Sequence, residues 1–149
     1  MTQFRFSRTT TAPIDFVFAT ISNPQSFSKV SEDVVRIEML SDTTSGVGTR
    51  FRETRKMGKR EATTDLEITE CVENEHVRFV SDAGGAIWDT IYTVSTVDDQ
   101  TRMEVVMDAR PYKLMARIMI PFIKGMVGKF MAKDMDAVTA YCDRAESDT

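Results

Sequence analysis

Glu53 and Arg55 are the charged residues whose placement most invites chemistry. They sit two apart in the segment Arg50–Met57 (RFRETRKM), so in a strand they share one face with Phe51. A charge on an otherwise apolar face needs a partner. Arg55 could anchor a carboxylate, phenolate or phosphate of a ligand, and Glu53 could orient that ligand or act as a base. Equally, the two could lie near a sheet end and reach water. Trp88 and Tyr92 each combine a large apolar body with one polar handle. They could flank a planar ligand or serve as core aromatics. The chain has ten methionines, seven of them between Met103 and Met135. Flexible, polarizable thioethers suit an adaptable ligand lining, and they suit a packed core just as well.

Other reactive residues point away from catalysis. His76, the only histidine, lies in the turn ENEH and is expected at an exposed loop tip. Asp89 could pass for a general acid, but its strand parity points outward. Cys71 also points outward, with only Arg78 as a basic neighbour to activate it. Two distant cysteines and one histidine provide neither a disulfide framework nor a metal cluster, so no metal is expected. Phosphate-binding glycine motifs, nucleophile elbows and zincin motifs are absent, and no cofactor is implied. Gly125-Met126-Val127-Gly128 has GxxG spacing but sits inside a helical pattern in an acidic chain. A formal charge of −4 argues against a general nucleic-acid binder.

The elements that must position these residues begin with an alternating strand, Gln3–Thr11. Two short helices follow, one opening at Pro13 and one at Asn23-Pro24. From residue 34 to 110 the pattern is strand and turn, with candidate strands at 34–41, 48–57, 60–72, 76–82, 86–97 and 101–110. Short turns make neighbours antiparallel. A two-residue turn at Gly58-Lys59 puts Met57 opposite Arg60, Lys56 opposite Glu61, Arg52 opposite Asp65 and Arg50 opposite Glu67. Three opposite-charge pairs then fall on one face, worth roughly 0.2–1 kcal/mol each. A slip of one residue would ruin both faces at once.

Carried onward, the register places Val72 opposite Val77, Ser81 opposite Trp88 and Val94 opposite Val105. The inner face then holds Phe51, Glu53, Arg55, Leu66 and Ile68 on the early strands. Val77, Phe79, Ser81, Trp88, Thr90, Tyr92 and Val94 follow, and Met103, Val105 and Met107 complete it. Val80, Ile87, Ile91 and Val106 fall on the outer face and could mark a homodimer surface.

After Pro111 the period becomes helical, over about 112–144, with Pro121 expected to kink the helix. Met115, Met119, Phe122 and Met126 belong to the apolar stripe expected to cover the sheet and complete the lining of a cavity. Residues 110–133 contain six Lys/Arg and no acid. Such a face could contact an anionic membrane peripherally, or simply be solvated. No apolar run reaches ~18 residues, and the opening residues do not read as a leader. A single soluble, cytoplasmic domain of 149 residues is expected.

Several segments carry a family resemblance. They are Thr11-Ala12-Pro13-Ile14-Asp15-Phe16-Val17-Phe18, Asn23-Pro24-Gln25-Ser26-Phe27, Asp99-Gln100-Thr101-Arg102-Met103 and Asp134-Met135-Asp136-Ala137-Val138. With the element order, they make the chain resemble the START-like (SRPBCC) superfamily, and within it the polyketide cyclase/dehydrase and lipid-transport group. The resemblance implies an α+β helix-grip fold: a seven-stranded antiparallel curved sheet wrapped around a long C-terminal helix, with two short helices after strand 1. It also implies a cavity between sheet and helix for a hydrophobic or aromatic small molecule. Binding, or cyclase/dehydratase catalysis in the same cavity, are the implied activities. Catalytic residues do not transfer by position.

Overall fold

The computed structural model describes residues 2–147, the last of them by backbone only. The elements are β1 (Thr2–Thr10), α1 (Ile14–Ser22), α2 (Pro24–Val30), β2 (Val34–Met39), β3 (Arg50–Met57), β4 (Arg60–Val72), β5 (His76–Ala83), β6 (Ala86–Val97), β7 (Gln100–Pro111) and α3 (Leu114–Ser147). The strands form one antiparallel sheet in the order β1-β7-β6-β5-β4-β3-β2. This is the helix-grip architecture that the sequence implies.

Turn chemistry accounts for the meander. Gly58, Gly84 and Gly85 have positive φ, as do Asp98 and Asp99, and each site closes a two-residue hairpin whose twist matches the strands. Asn23 caps α2 by accepting from the Gln25 amide at 2.9 Å, with Pro24 in its first turn. The β3–β4 register is the expected one, and Arg52 donates from Nε to Asp65 at 2.7 Å on the outer face.

Two registers differ from expectation. The turn before β7 is Asp98-Asp99, not Asp99-Gln100, so Val94 pairs with Met103 and not Val105. Aspartate tolerates the left-handed conformation through local hydrogen bonding, which moves the turn by one residue. The shift in pairing is two residues, so every β7 side chain keeps its face. Between β4 and β5 the register shifts between Ile68 and Glu70, so Cys71 faces Val77 and Val72 faces His76. The bulge turns Cys71 inward against the core, whereas strict alternation points it outward. Burial raises the Cys71 thiol pKa, with Glu73 adding to the rise. His76 is half-buried at the start of β5 and not at an exposed tip.

The core lies between the inner sheet face, α1, α2 and the C-terminal half of α3, centred on Val17, Ile21, Ile68, Val77, Val94, Met103, Val105, Met135, Val138 and Cys142. Burial pushes the Cys142 thiol up to about 11. A second cluster of Ala86, Ala109, Ala116 and Ile120, with Trp88 against it, seats the start of α3 on β6 and β7. Gly85 ties the β5–β6 turn to that helix start by accepting from the Tyr112 and Lys113 amides at 2.9 and 3.1 Å. The helix begins two residues later than expected and runs through Pro121 without a break.

The α3 face turned to the sheet also differs from expectation. Ala116, Ile120, Ile123, Val127 and Met131 face inward at spacings of three and four. Met115, Met119 and Phe122 lie on the opposite side, 72%, 50% and 81% exposed. Small Ala116 lets the helix approach Ala86 and Ala109. Val80, Ile87, Ile91 and Val106 on the outer sheet face are half-buried.

Candidate functional site

A cavity of about 420 Å³ lies between the inner sheet face and α3, within the size range of small-molecule sites. Of the residues expected to line it, Phe51, Glu53, Arg55, Phe79, Trp88, Tyr92, Met107 and Met126 do so. Met115, Met119 and Phe122 do not, being on the outward side of α3; their places are taken by Ile123, Val127, Phe130 and Met131. Ile21, Pro24 and Phe27 of α1 and α2 contribute another wall.

Strand parity explains the sheet side. Phe51 and Leu66, Glu53 and Thr64, Arg55 and Ala62 are cross-strand pairs on the same face. Ser81 pairs with Leu66 and Trp88, and Thr90 with Phe79 and Met107. Phe51, Phe79 and Tyr92 meet edge to face at 6.0 and 6.1 Å, and Phe27 meets Tyr92 at 6.4 Å. Such contacts hold the rings in one orientation. The Trp88 indole N–H is satisfied by the Ala83 carbonyl at 3.0 Å, so the ring offers the cavity its apolar face.

One part of the cavity is charged. Arg55 donates from Nε to Glu53 at 3.2 Å and from Nη1 to both oxygens of Asp134, at 2.9 and 3.1 Å. Their side chains are 16%, 17% and 10% exposed, so both charges of the expected Glu53–Arg55 pair are largely withdrawn from water. Ser31 donates to Asp134 at 2.8 Å, and Lys133 pairs with Asp33 at 3.1 Å nearby. Burial would lower the Arg55 pKa, but the two carboxylates outweigh it and raise it. Burial raises Asp134 despite the opposing pull of Arg55 and the Ser31 hydroxyl. Burial likewise raises the Tyr92 phenol, so it is a neutral hydroxyl at neutral pH.

Asp134 is the member of this cluster that sequence reasoning missed as a site residue. Its signal was an acid inside an apolar helical stripe, between Met131 and Val138. With Arg55 held by two carboxylates, the cluster as a whole does not present a bare cation. Arg55 Nη2 and the second oxygen of Glu53 have no partner among the described residues. Together they offer one donor and one acceptor to a neutral polar group, and the hydroxyls of Thr64, Ser81, Thr90 and Tyr92 supplement them.

Asp89 belongs to a separate, structural cluster on the outer face. Its Oδ1 accepts from Arg78 Nε at 2.8 Å, its Oδ2 from Arg78 Nη2, and Arg110 adds contacts at 3.4 Å. Hydrogen bonding from Arg78 lowers its pKa. Among the described residues no three His, Cys, Asp or Glu side chains converge to hold a metal ion.

Comparison with known proteins bears on the fold and the family. A search among curated proteins found no match. Among solved structures, a protein of Thermus thermophilus is 14% identical with a TM-score of 0.79, covering 97% of this chain and 99% of that one. The Zhui aromatase/cyclase of a Streptomyces species is 14% identical at a TM-score of 0.77, covering 96% and 94%. The protein Ara h 8.0201 is 14% identical at 0.76, covering 95% and 97%. At these identities the likeness shows the fold alone. The model of the family described as polyketide cyclase / dehydrase and lipid transport matches residues 1–143. The chain therefore belongs to that family, within the START-like superfamily.

Proposed function

We propose that this protein binds a hydrophobic, preferably aromatic, small molecule in the cavity between the sheet and α3, with a neutral hydroxyl or keto group at its polar end. The observation that carries this reading is the cluster of Arg55 between Glu53 and Asp134 at the wall of an otherwise apolar cavity. A ligand carboxylate or phosphate would meet two carboxylates beside the one cation. A phenol or ketone can accept from Arg55 Nη2 and, where it carries a hydroxyl, donate to Glu53. A polyketide-like ring system has this combination of flat apolar body and neutral oxygen.

Trp88 is the only tryptophan and lines the cavity, so its fluorescence reports occupancy directly. Titration with a naphthol is expected to change that signal saturably, whereas the naphthoate of the same ring system binds at least tenfold more weakly. Thr90→Phe, which fills the cavity from β6, should abolish the response. Equal binding of naphthol and naphthoate, or naphthol binding that survives Thr90→Phe, would overturn the proposal.

A second reading is cyclase- or dehydratase-type catalysis in the same cavity. It is supported by the second oxygen of Glu53, which has no hydrogen-bond partner among the described residues and would act as the base toward the carbon next to a ketone held at Arg55, and by the fold shared with an aromatase/cyclase. Glu53→Gln should then keep naphthol binding but lose turnover of a poly-ketone substrate. Unchanged turnover would remove Glu53 from that role.

A further inference from the structure

We infer that β2 pairs edge to edge with β2 of a second copy of this chain, joining the two sheets across a two-fold axis at Ile37. β2 ends the sheet and bonds only β3, so its other side is open. Leu40 donates to the Arg50 carbonyl at 2.8 Å, which fixes the alternation. Glu38 also turns its backbone toward β3, while Ile37 and Met39 turn theirs to the open side. Among the described residues, no side chain or loop bonds those N–H and C=O groups. Edge strands are commonly blunted by lysine or proline. β2 (VVRIEM) has neither, and Val35 is 51% exposed near its start.

Charge selects the occupant. The outer face of β2 carries Arg36 and Glu38, two residues apart and both exposed. Arg36 donates from Nη2 to Thr54 at 3.3 Å and has no carboxylate partner among the described residues. Two antiparallel copies centred on Ile37 place each Arg36 opposite the other copy's Glu38, so two opposite-charge pairs form. Centring on Arg36 or on Glu38 instead would set two arginines or two glutamates face to face. The new pairs extend a row already present: Asp65 accepts from Arg52 at 2.7 Å, and Arg52 stands 3.8 Å from Glu38. With Arg36 of the second copy beside Glu38, charge alternates across four neighbouring strands. Ile37 would exchange two backbone hydrogen bonds with its own counterpart, and Met39 would lie beside Val35 of the second copy.

The opposite edge of the sheet does not offer this. β1 carries Arg5 and Arg8 and no acid between Thr2 and Thr10. Both arginines are engaged within the chain, with Glu104 at 3.1 Å and Asp136 at 2.7 Å. Two copies of β1 would bring only cations to their interface. A head-to-tail contact of β1 on β2 would repeat and give assemblies larger than dimers. Neither Arg36 nor Glu38 lines the cavity, so the association can be tested apart from ligand binding.

A strand of 6 residues makes an interface at the small end of the specific range, so the dissociation constant should be on the order of tens of micromolar. The test is sedimentation velocity of the full chain from about 5 to about 500 µM, across which it is expected to pass from monomer to dimer. Arg36→Glu and Glu38→Arg each set like charges together twice and should weaken self-association at least about tenfold. Mixed in equal amounts, the two variants carry opposite charges at the facing positions and should dimerise within about threefold of the parent. Both positions are exposed, and unchanged Trp88 fluorescence reports that the fold is intact. A parent that stays monomeric at about 500 µM would overturn the inference. So would self-association that the single variants leave unchanged, a mixture no tighter than its components, or species larger than a dimer.

Discussion

Removing the guanidinium of Arg55 while keeping its length, as in Arg55→Met, leaves Glu53 and Asp134 without their countercharge. Those side chains are only 17% and 10% exposed, so water compensates little. Breaking a buried ion pair from one side costs about 3–5 kcal/mol, and the partial exposure places this site near about 3 kcal/mol. For a chain of this length that is a fall of roughly 6–12 °C in Tm. The loss has a pH signature. Burial already holds the Asp134 carboxyl above its ordinary 3.8, with Arg55 opposing the rise. Without Arg55 it climbs further, so the folded state binds a proton more tightly than the unfolded chain. The penalty is therefore full above the folded pKa and is relieved as pH falls toward the unfolded value, by at most about 1.4 kcal/mol per pH unit for one proton. Urea denaturation followed by Trp88 fluorescence, at about pH 7.5 and about pH 5, measures both effects. Arg55→Met should regain at least about 1 kcal/mol relative to the parent over that interval. Arg55→Met combined with Asp134→Asn should lose most of that recovery. A loss below about 1 kcal/mol at neutral pH, or one that pH does not alter, would refute the reasoning and reduce Arg55 to a packing residue.

Two further substitutions test the supports of the site. Asp89 is 5% exposed and held by Arg78, which keeps its pKa below the ordinary 3.8. Its stabilising contribution is present above about pH 4 and lost as pH falls through the lower folded value. Asp89→Asn should cost about 1.5–3 kcal/mol at neutral pH and flatten the acid limb of a urea-midpoint-against-pH curve; an unaltered limb would argue against it. Gly85 has φ +83°, and a Cβ there would come within 2.9 Å of the Lys113 Cβ, whereas one on Gly84 (φ +63°) meets nothing within 4 Å. Both alanine variants bear a left-handed penalty of about 1–2 kcal/mol, but Gly85→Ala should lower Tm further because it also displaces the start of α3. Equal losses would show that the turn and the helix are not mechanically joined.

Much of the fold was legible because strands have a period of two. Once Gly58-Lys59 set one hairpin, the alternation of Arg50, Arg52 and Lys56 against Glu67, Asp65 and Glu61 left a single register. Phe51, Glu53, Arg55, Phe79, Trp88 and Tyr92 follow from that register onto the cavity face. Even the misplaced turn at Asp98-Asp99 kept parity, since moving a two-residue turn by one changes the pairing by two. The bulge between Ile68 and Glu70 has no comparable signature, and it alone turned Cys71 from the outer face to the inner.

Which residues could share a sheet face was settled by the order of amino acids, because a strand offers each side chain only two directions. Which side of α3 looks inward was not. Between Leu114 and Met131 that helix is apolar around most of its circumference, and hydrophobicity gives no preferred rotation. Tertiary packing chose. Ala116 fits closely against Ala86 and Ala109, which leaves Met115, Met119 and Phe122 in water and brings Asp134 to Arg55 across 79 residues of chain. The charged wall of the cavity and the exposed stripe are both consequences of that one rotation.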